Sequence, residues 1–145
     1  AAYSFFDMLA RSEASGAEHA FAVTLPIDGV IGACGLSRIG GPGSETWELG
    51  YWYGMPYWGL GYASEAARAL MDWGRDQLGA KVFVAGHFAD NPASGNVLRK
   101  LGFVATGTED LFGLARQRTS PAMRYVWPEG ATPVTLSAHP GNAAH

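Results

Sequence analysis

The sequence predicts an α/β (α+β) fold, a sheet flanked by helices, on three observations. Short apolar or alternating runs recur between turn residues, and two longer stretches carry a helical stripe. A Gly-x-Gly turn joins an aromatic strand to the first of those stripes. The predicted order is helix, three strands, helix, strand, helix, two strands.

Tyr3 to Ser12 places Phe5, Phe6, Met8 and Leu9 at helical spacing, which predicts a short amphipathic helix. Ala20 to Leu25 and Val30 to Ile39 read as strands joined across the hairpin signal Pro26-Ile27-Asp28-Gly29. A second turn, Gly40 to Ser44, leads into a strand from Thr46 to Tyr53. Ala63, Ala66, Ala67, Leu70, Met71 and Leu78 then share one helical face, with Arg68, Asp72, Arg75 and Asp76 outside it. Lys81 to Phe88 is a strand whose apolar centre, Val82 to Ala85, predicts a central position. Pro92 to Leu101 is a helix with Pro92 in its first turn. Phe103 to Phe112 and Ala122 to Trp127 complete the sheet.

At 145 residues the chain suits one domain, residues 1–127, with a Pro-, Ala- and Gly-rich C-terminal extension over residues 128–145. Net charge −3 and pI near 5.7 leave no basic footprint, so neither nucleic acid nor an anionic membrane is an expected partner. No apolar run reaches membrane-spanning length and no leader peptide opens the sequence. Cys34 is the one cysteine and sits in an apolar strand, which predicts a buried, inert thiol and a cytoplasmic setting. His, Asp and Glu do not fall at metal-ligand spacing, so no metal is expected.

Gly59-Leu60-Gly61 stands at the mouth of a helix N-terminus, where unpaired N–H groups and the helix dipole attract phosphate oxygens. A Walker loop would close on Gly-Lys-Ser/Thr, whereas Gly61 is followed by Tyr62. A dinucleotide fingerprint would want Gly or Ala where Ser64 stands. Asn91-Pro92-Ala93-Ser94-Gly95-Asn96-Val97-Leu98-Arg99-Lys100-Leu101-Gly102-Phe103 follows the next strand. This segment and the run from Gly59 to Ala66 together resemble the GNAT superfamily of acetyl-CoA-dependent N-acetyltransferases, most of all its RimJ/RimL-like branch, over about Ala20 to Trp127.

The resemblance implies a mixed, mostly antiparallel central sheet and direct acetyl transfer from acetyl-CoA to a primary amine within a ternary complex. The acceptor is a protein N-terminus or a small amine. It implies that backbone groups of Trp52, Tyr53 and Gly54 hold the pantetheine arm. The N–H groups of Gly59, Leu60, Gly61, Tyr62 and Ala63 take the pyrophosphate, and a helix cap is the plainer reading of these residues. Asn91 and Asn96 bind the cofactor or serve a turn and solvent. Family members usually begin with a strand and helix upstream of Tyr3, so the resemblance implies either a fragment or an upstream stretch outside this sequence. If that N-terminal strand and helix are missing, the Ala20–Leu25 strand has an open edge that invites pairing with another chain, as in a homodimer.

Glu48 is the preferred general base, since a carboxylate on an aromatic strand can accept a proton, directly or through water. An ion pair with Arg38 across the Gly40–Ser44 turn is the alternative. Ser94 is the candidate acid toward the departing thiolate, or a helix cap. Many superfamily members carry a tyrosine where this chain has Leu98. His87 ends a central strand and either assists the amine or is a structural imidazole. Trp47, Trp52, Tyr57, Trp58 and Trp73 build an acceptor pocket or fill core. Two other functions stay open: a catalytically inactive CoA-binding regulatory or scaffold module, and a nucleotide-binding protein unrelated to CoA.

Overall fold

The computed structural model describes residues 7–12, 18–25, 29–53, 62–89, 92–113 and 117–133. Seven strands form one sheet: β1 (Asp7–Ser12), β2 (Glu18–Leu25), β3 (Gly29–Ile39), β4 (Thr46–Tyr53), β5 (Val82–Phe88), β6 (Val104–Gly113) and β7 (Arg118–Trp127). Helix α1 (Tyr62–Leu78) connects β4 to β5, and α2 (Pro92–Lys100) connects β5 to β6. The strand order is β1-β2-β3-β4-β5-β7-β6.

Strands β1 to β4 pair in sequence order, each antiparallel to the next. Strands β4 and β5 run parallel because the α1 crossover returns the chain to the same end of the sheet. Strand β7 then slots between β5 and β6, antiparallel to both. The sheet is therefore mixed and mostly antiparallel, as expected.

One expectation is overturned at the N-terminus. Asp7 to Ser12 is a strand, not part of a helix; Tyr3 to Phe6 lie outside the described residues. A short apolar run cannot by itself distinguish helix from strand, and here the bonding groups of β2 decide: Asp7 pairs with Ala22 and Arg11 with Ala20. The same pairing covers the β2 edge from His19 to Ala22, part of the edge expected to be open.

Both helices pack on one face of the sheet. Trp47 and Leu49 of β4, Leu36 of β3, Phe83 and Ala85 of β5 and Tyr125 of β7 meet Ala66, Ala67, Leu70 and Met71 of α1 and Leu98 of α2. Burying a side chain of this size contributes roughly 1.5–3 kcal/mol. Gly102 stops α2: its φ of 93° turns the chain so that the Phe103 N–H donates to the Leu98 carbonyl at 3.0 Å. The opposite face has a smaller apolar cluster of Ile39, Val84 and Val126.

Candidate active site

The site is built on a fork in the sheet. Strands β4 and β5 pair only at Thr46–Val82, Trp47–Phe83 and Glu48–Val84. Beyond that point β4 stays paired with β3 as far as Tyr53–Gly32, and β5 with β7 as far as Phe88–Ala122. The twisting strands separate, and the inner edge of β4 past Glu48 has no ladder partner on β5. A strand that parts from its neighbour in this way can offer N–H and C=O groups to an extended, amide-bearing ligand. Trp52 and Tyr53 supply the last backbone of this edge. Gly54, Gly59, Leu60, Gly61 and Asn91 lie outside the described residues, while Tyr62 and Ala63 open α1.

Glu48 stands at the apex of the fork, 2% exposed, on the sheet face away from the helices. Its Oε2 receives Arg124 Nη2 at 3.2 Å, and the same guanidinium reaches Glu109 Oε1 through Nε at 3.5 Å. Arg124 lies over Gly86, its cross-strand partner; a Cβ there would come within 2.5 Å of Nη1. The expected alternative, a pair with Arg38, is corrected by register. Arg38 pairs with Trp47, so it belongs to the other face, and its guanidinium sits 4.8 Å over that indole.

Ser94 lies buried in the first turn of α2. The Tyr51 hydroxyl crosses from β4 to reach it, 3.1 Å from the Ser94 carbonyl oxygen and 3.0 Å from Oγ. Desolvation pushes the Tyr51 phenol up to about 12, with the Ser94 hydrogen bond opposing and the nearby Tyr125 adding to the rise. Leu98 is fully buried in the core. Asn96 accepts from Arg99 Nη2 at 2.7 Å on the exposed side of α2.

His87 is buried between β5, β7 and α2. A carbonyl cannot donate, so its Nδ1–H donates to the Phe88 oxygen at 2.7 Å, leaving Nε2 to accept from the Tyr125 hydroxyl at 3.0 Å. Arg99 in turn donates to Tyr125. Both ring nitrogens are committed, and Gly95 lets α2 close on the pair. Trp47 is core and Trp73 packs against it; the side chain of Trp52, and Tyr57 and Trp58, lie outside the described set.

Tyr51 and Arg124 were not identified from the sequence. The signal for Arg124 was a lone cation in the apolar run Ala122-Met123-Arg124-Tyr125-Val126, but its partner depends on strand order.

The chain belongs to the acetyltransferase (GNAT) domain family, whose model matches residues 1–104. It is similar to the uncharacterized N-acetyltransferase p20 of Bacillus licheniformis, 36% identical over 80 residues, covering 55% of this chain and 44% of p20. It also resembles YnaD of Bacillus subtilis, an uncharacterized N-acetyltransferase, at 32% over 65 residues, 45% of this chain and 38% of that protein. The matches thus span less than half of either relative. In fold it resembles the ribosomal-protein-S5-alanine acetyltransferase of Vibrio fischeri, with TM-score 0.69 and 22% identity over 81% of this chain and 65% of that one. Spermidine N-acetyltransferase SpeG of Vibrio cholerae is similar at TM-score 0.65 and 20% identity, over 76% and 64% of the two chains.

Proposed function

We propose that this chain is an acetyl-CoA-dependent N-acetyltransferase of the RimJ/RimL-like kind, acting on a protein N-terminus or a small amine by direct transfer in a ternary complex. The fork opening at Glu48 carries this reading, because there β4 parts from β5 with a carboxylate at the apex. In this reading the β4 backbone through Trp52, Tyr53 and Gly54 holds the pantetheine amides, and Gly59, Leu60, Gly61, Tyr62 and Ala63 the diphosphate. Asn91 and Asn96 add polar contacts. When bound, acetyl-CoA supplies the activated acyl group.

Glu48 takes the proton from the attacking ammonium, directly or through a water. Arg124 holds that carboxylate in one orientation, and Ser94 gives the departing thiolate its proton. The protein's work is orientation and hydrogen bonding where charge develops.

A second reading, a CoA-binding scaffold without turnover, draws on the same ion pair, since Glu48 is already engaged. CoA release from acetyl-CoA over a panel of peptide N-termini, polyamines and aminoglycosides separates the two. Turnover with any amine supports the enzyme, and tight CoA binding with no turnover across the panel supports the scaffold.

A further inference from the structure

We infer that Tyr51 is a positioning residue for the transfer: it ties the helix carrying Ser94 across the fork and feeds the proton that Ser94 passes to the departing sulfur. The inference rests on the acid role given to Ser94 above.

Tyr51 shares its face of β4 with Trp47 and Leu49, the face on which α2 lies. It stands beyond Glu48, in the part of β4 that no longer pairs with β5. Its hydroxyl nevertheless reaches α2, the helix that follows β5, at a sequence separation of 43 residues. The phenol therefore bridges the two arms of the fork at the point where the strands themselves do not.

Two hydrogen-bond patterns are open to the same atoms. In one, the phenol donates to the Ser94 carbonyl, and the Ser94 hydroxyl donates to the phenol oxygen. In the other, the phenol donates to Ser94 Oγ, which frees the serine proton for a third group. The second pattern is what an acid requires. The phenol is a proton donor throughout the neutral range because burial keeps it protonated. Tyr125 is no substitute, since its proton is directed to His87 Nε2.

The step balances. The carbon–sulfur bond breaks and its electron pair goes to sulfur. Sulfur takes the Ser94 proton, Ser94 Oγ takes the Tyr51 proton, and the phenolate recovers a proton from water once the products leave. The ammonium gives one proton to Glu48 before attack. The amine nitrogen bonds to the acetyl carbon as the carbon–sulfur bond breaks, and the acylated nitrogen releases its second proton to water, balancing the one the phenolate recovers.

The test uses Tyr51→Phe, Ser94→Ala and the double variant of the full chain. General acids contribute about 10²–10⁴-fold, so a residue acting through one should be worth roughly 10–100-fold in kcat. Expected are that loss for Tyr51→Phe, an unchanged KM for acetyl-CoA, CoA affinity by calorimetry within about twofold, and a double variant no slower than Ser94→Ala. Normal kcat in Tyr51→Phe, or losses that multiply in the double variant, would overturn the inference. Full kcat in Ser94→Ala refutes instead the acid role of the serine, and so the reading beneath. A readout independent of turnover is the ring-carbon NMR signal of labelled Tyr51 in the wild-type background. It should move on Ser94→Ala, and an unmoved signal sinks the contact.

Discussion

Replacing Arg124 by Met should cost far more than the loss of an ordinary surface ion pair. The guanidinium side chain is 12% exposed and its Glu48 partner 2% exposed, at 3.2 Å. Exposed pairs are worth about 0–1 kcal/mol, whereas deleting one member of a buried pair costs about 3–5 kcal/mol because a charge is stranded in the interior. Arg124 lies at the rim of the buried region, so the lower end applies, about 3 kcal/mol. That is a large share of the roughly 5–15 kcal/mol of a typical domain, and it corresponds to a melting shift on the order of 10 °C. Urea denaturation followed by far-UV circular dichroism measures it. The cycle is closed with Glu48→Gln: the double variant, with the carboxylate neutralised, should recover about 2 kcal/mol of the loss. The Glu109→Gln control, at a carboxylate 45% exposed, should cost no more than about 0.5 kcal/mol. A loss below about 1 kcal/mol in Arg124→Met, or a double variant as unstable as the single, refutes the claim that this pair is energetically interior.

The remaining expectations are briefer. Glu48→Gln should lower kcat by at least about 100-fold while leaving CoA affinity near wild type, and unaltered turnover across pH clears the residue of the base role. Gly95→Ala places a Cβ 2.9 Å from His87 Nε2 and 3.1 Å from the Tyr125 hydroxyl. Despite alanine's better helix propensity, a net loss of about 1–2 kcal/mol is expected by thermal melting; a gain would contradict the packing of α2 on that pair. Desolvation raises the Cys34 thiol from 9.0 to about 12, so it should resist iodoacetamide at pH 8 until the protein unfolds; prompt native-state alkylation counts against its burial. Cys34 and Tyr51 both have folded-state values raised to about 12, so in alkaline solution the unfolded chain binds fewer protons than the native one. Stability is full below about pH 9 and falls as pH rises toward 12; Cys34→Ala should flatten that decline, and an unchanged slope removes the thiol from it.

What the sequence revealed and what it hid divide along one physical line. Periodicity is local, so β2 to β7 and both helices were legible from residues such as Ala66, Leu70 and Phe83, whose spacing records the face they bury. Asp7 to Ser12 reads as helix from sequence because the apolar residues around it fit either period, and the β2 strand that pairs with it is remote in sequence. At the proposed site, residue type and position alone single out Glu48 and Ser94 as candidates. Their partners stay hidden: Arg124 meets Glu48 only because β7 inserts beside β5, and Tyr51 meets Ser94 only because the strands diverge after Val84. Arg38 looked like the natural partner of Glu48 at close range, yet a one-residue difference in register puts it on the other surface.

The short β4–β5 pairing also sets how the molecule yields. Four strands lie to one side of that seam and three to the other, and three residue pairs, together with the helices resting across it, hold the two rafts together. Amides of Thr46 to Glu48 should therefore exchange with deuterium only on global opening. On the stretch from Leu49 to Tyr53, the amides turned toward β5 should exchange early and become slow when a strand-like guest completes the ladder. Such a guest serves as the missing rung of the sheet, so occupancy should stiffen the whole domain in proportion to how far it fills the gap.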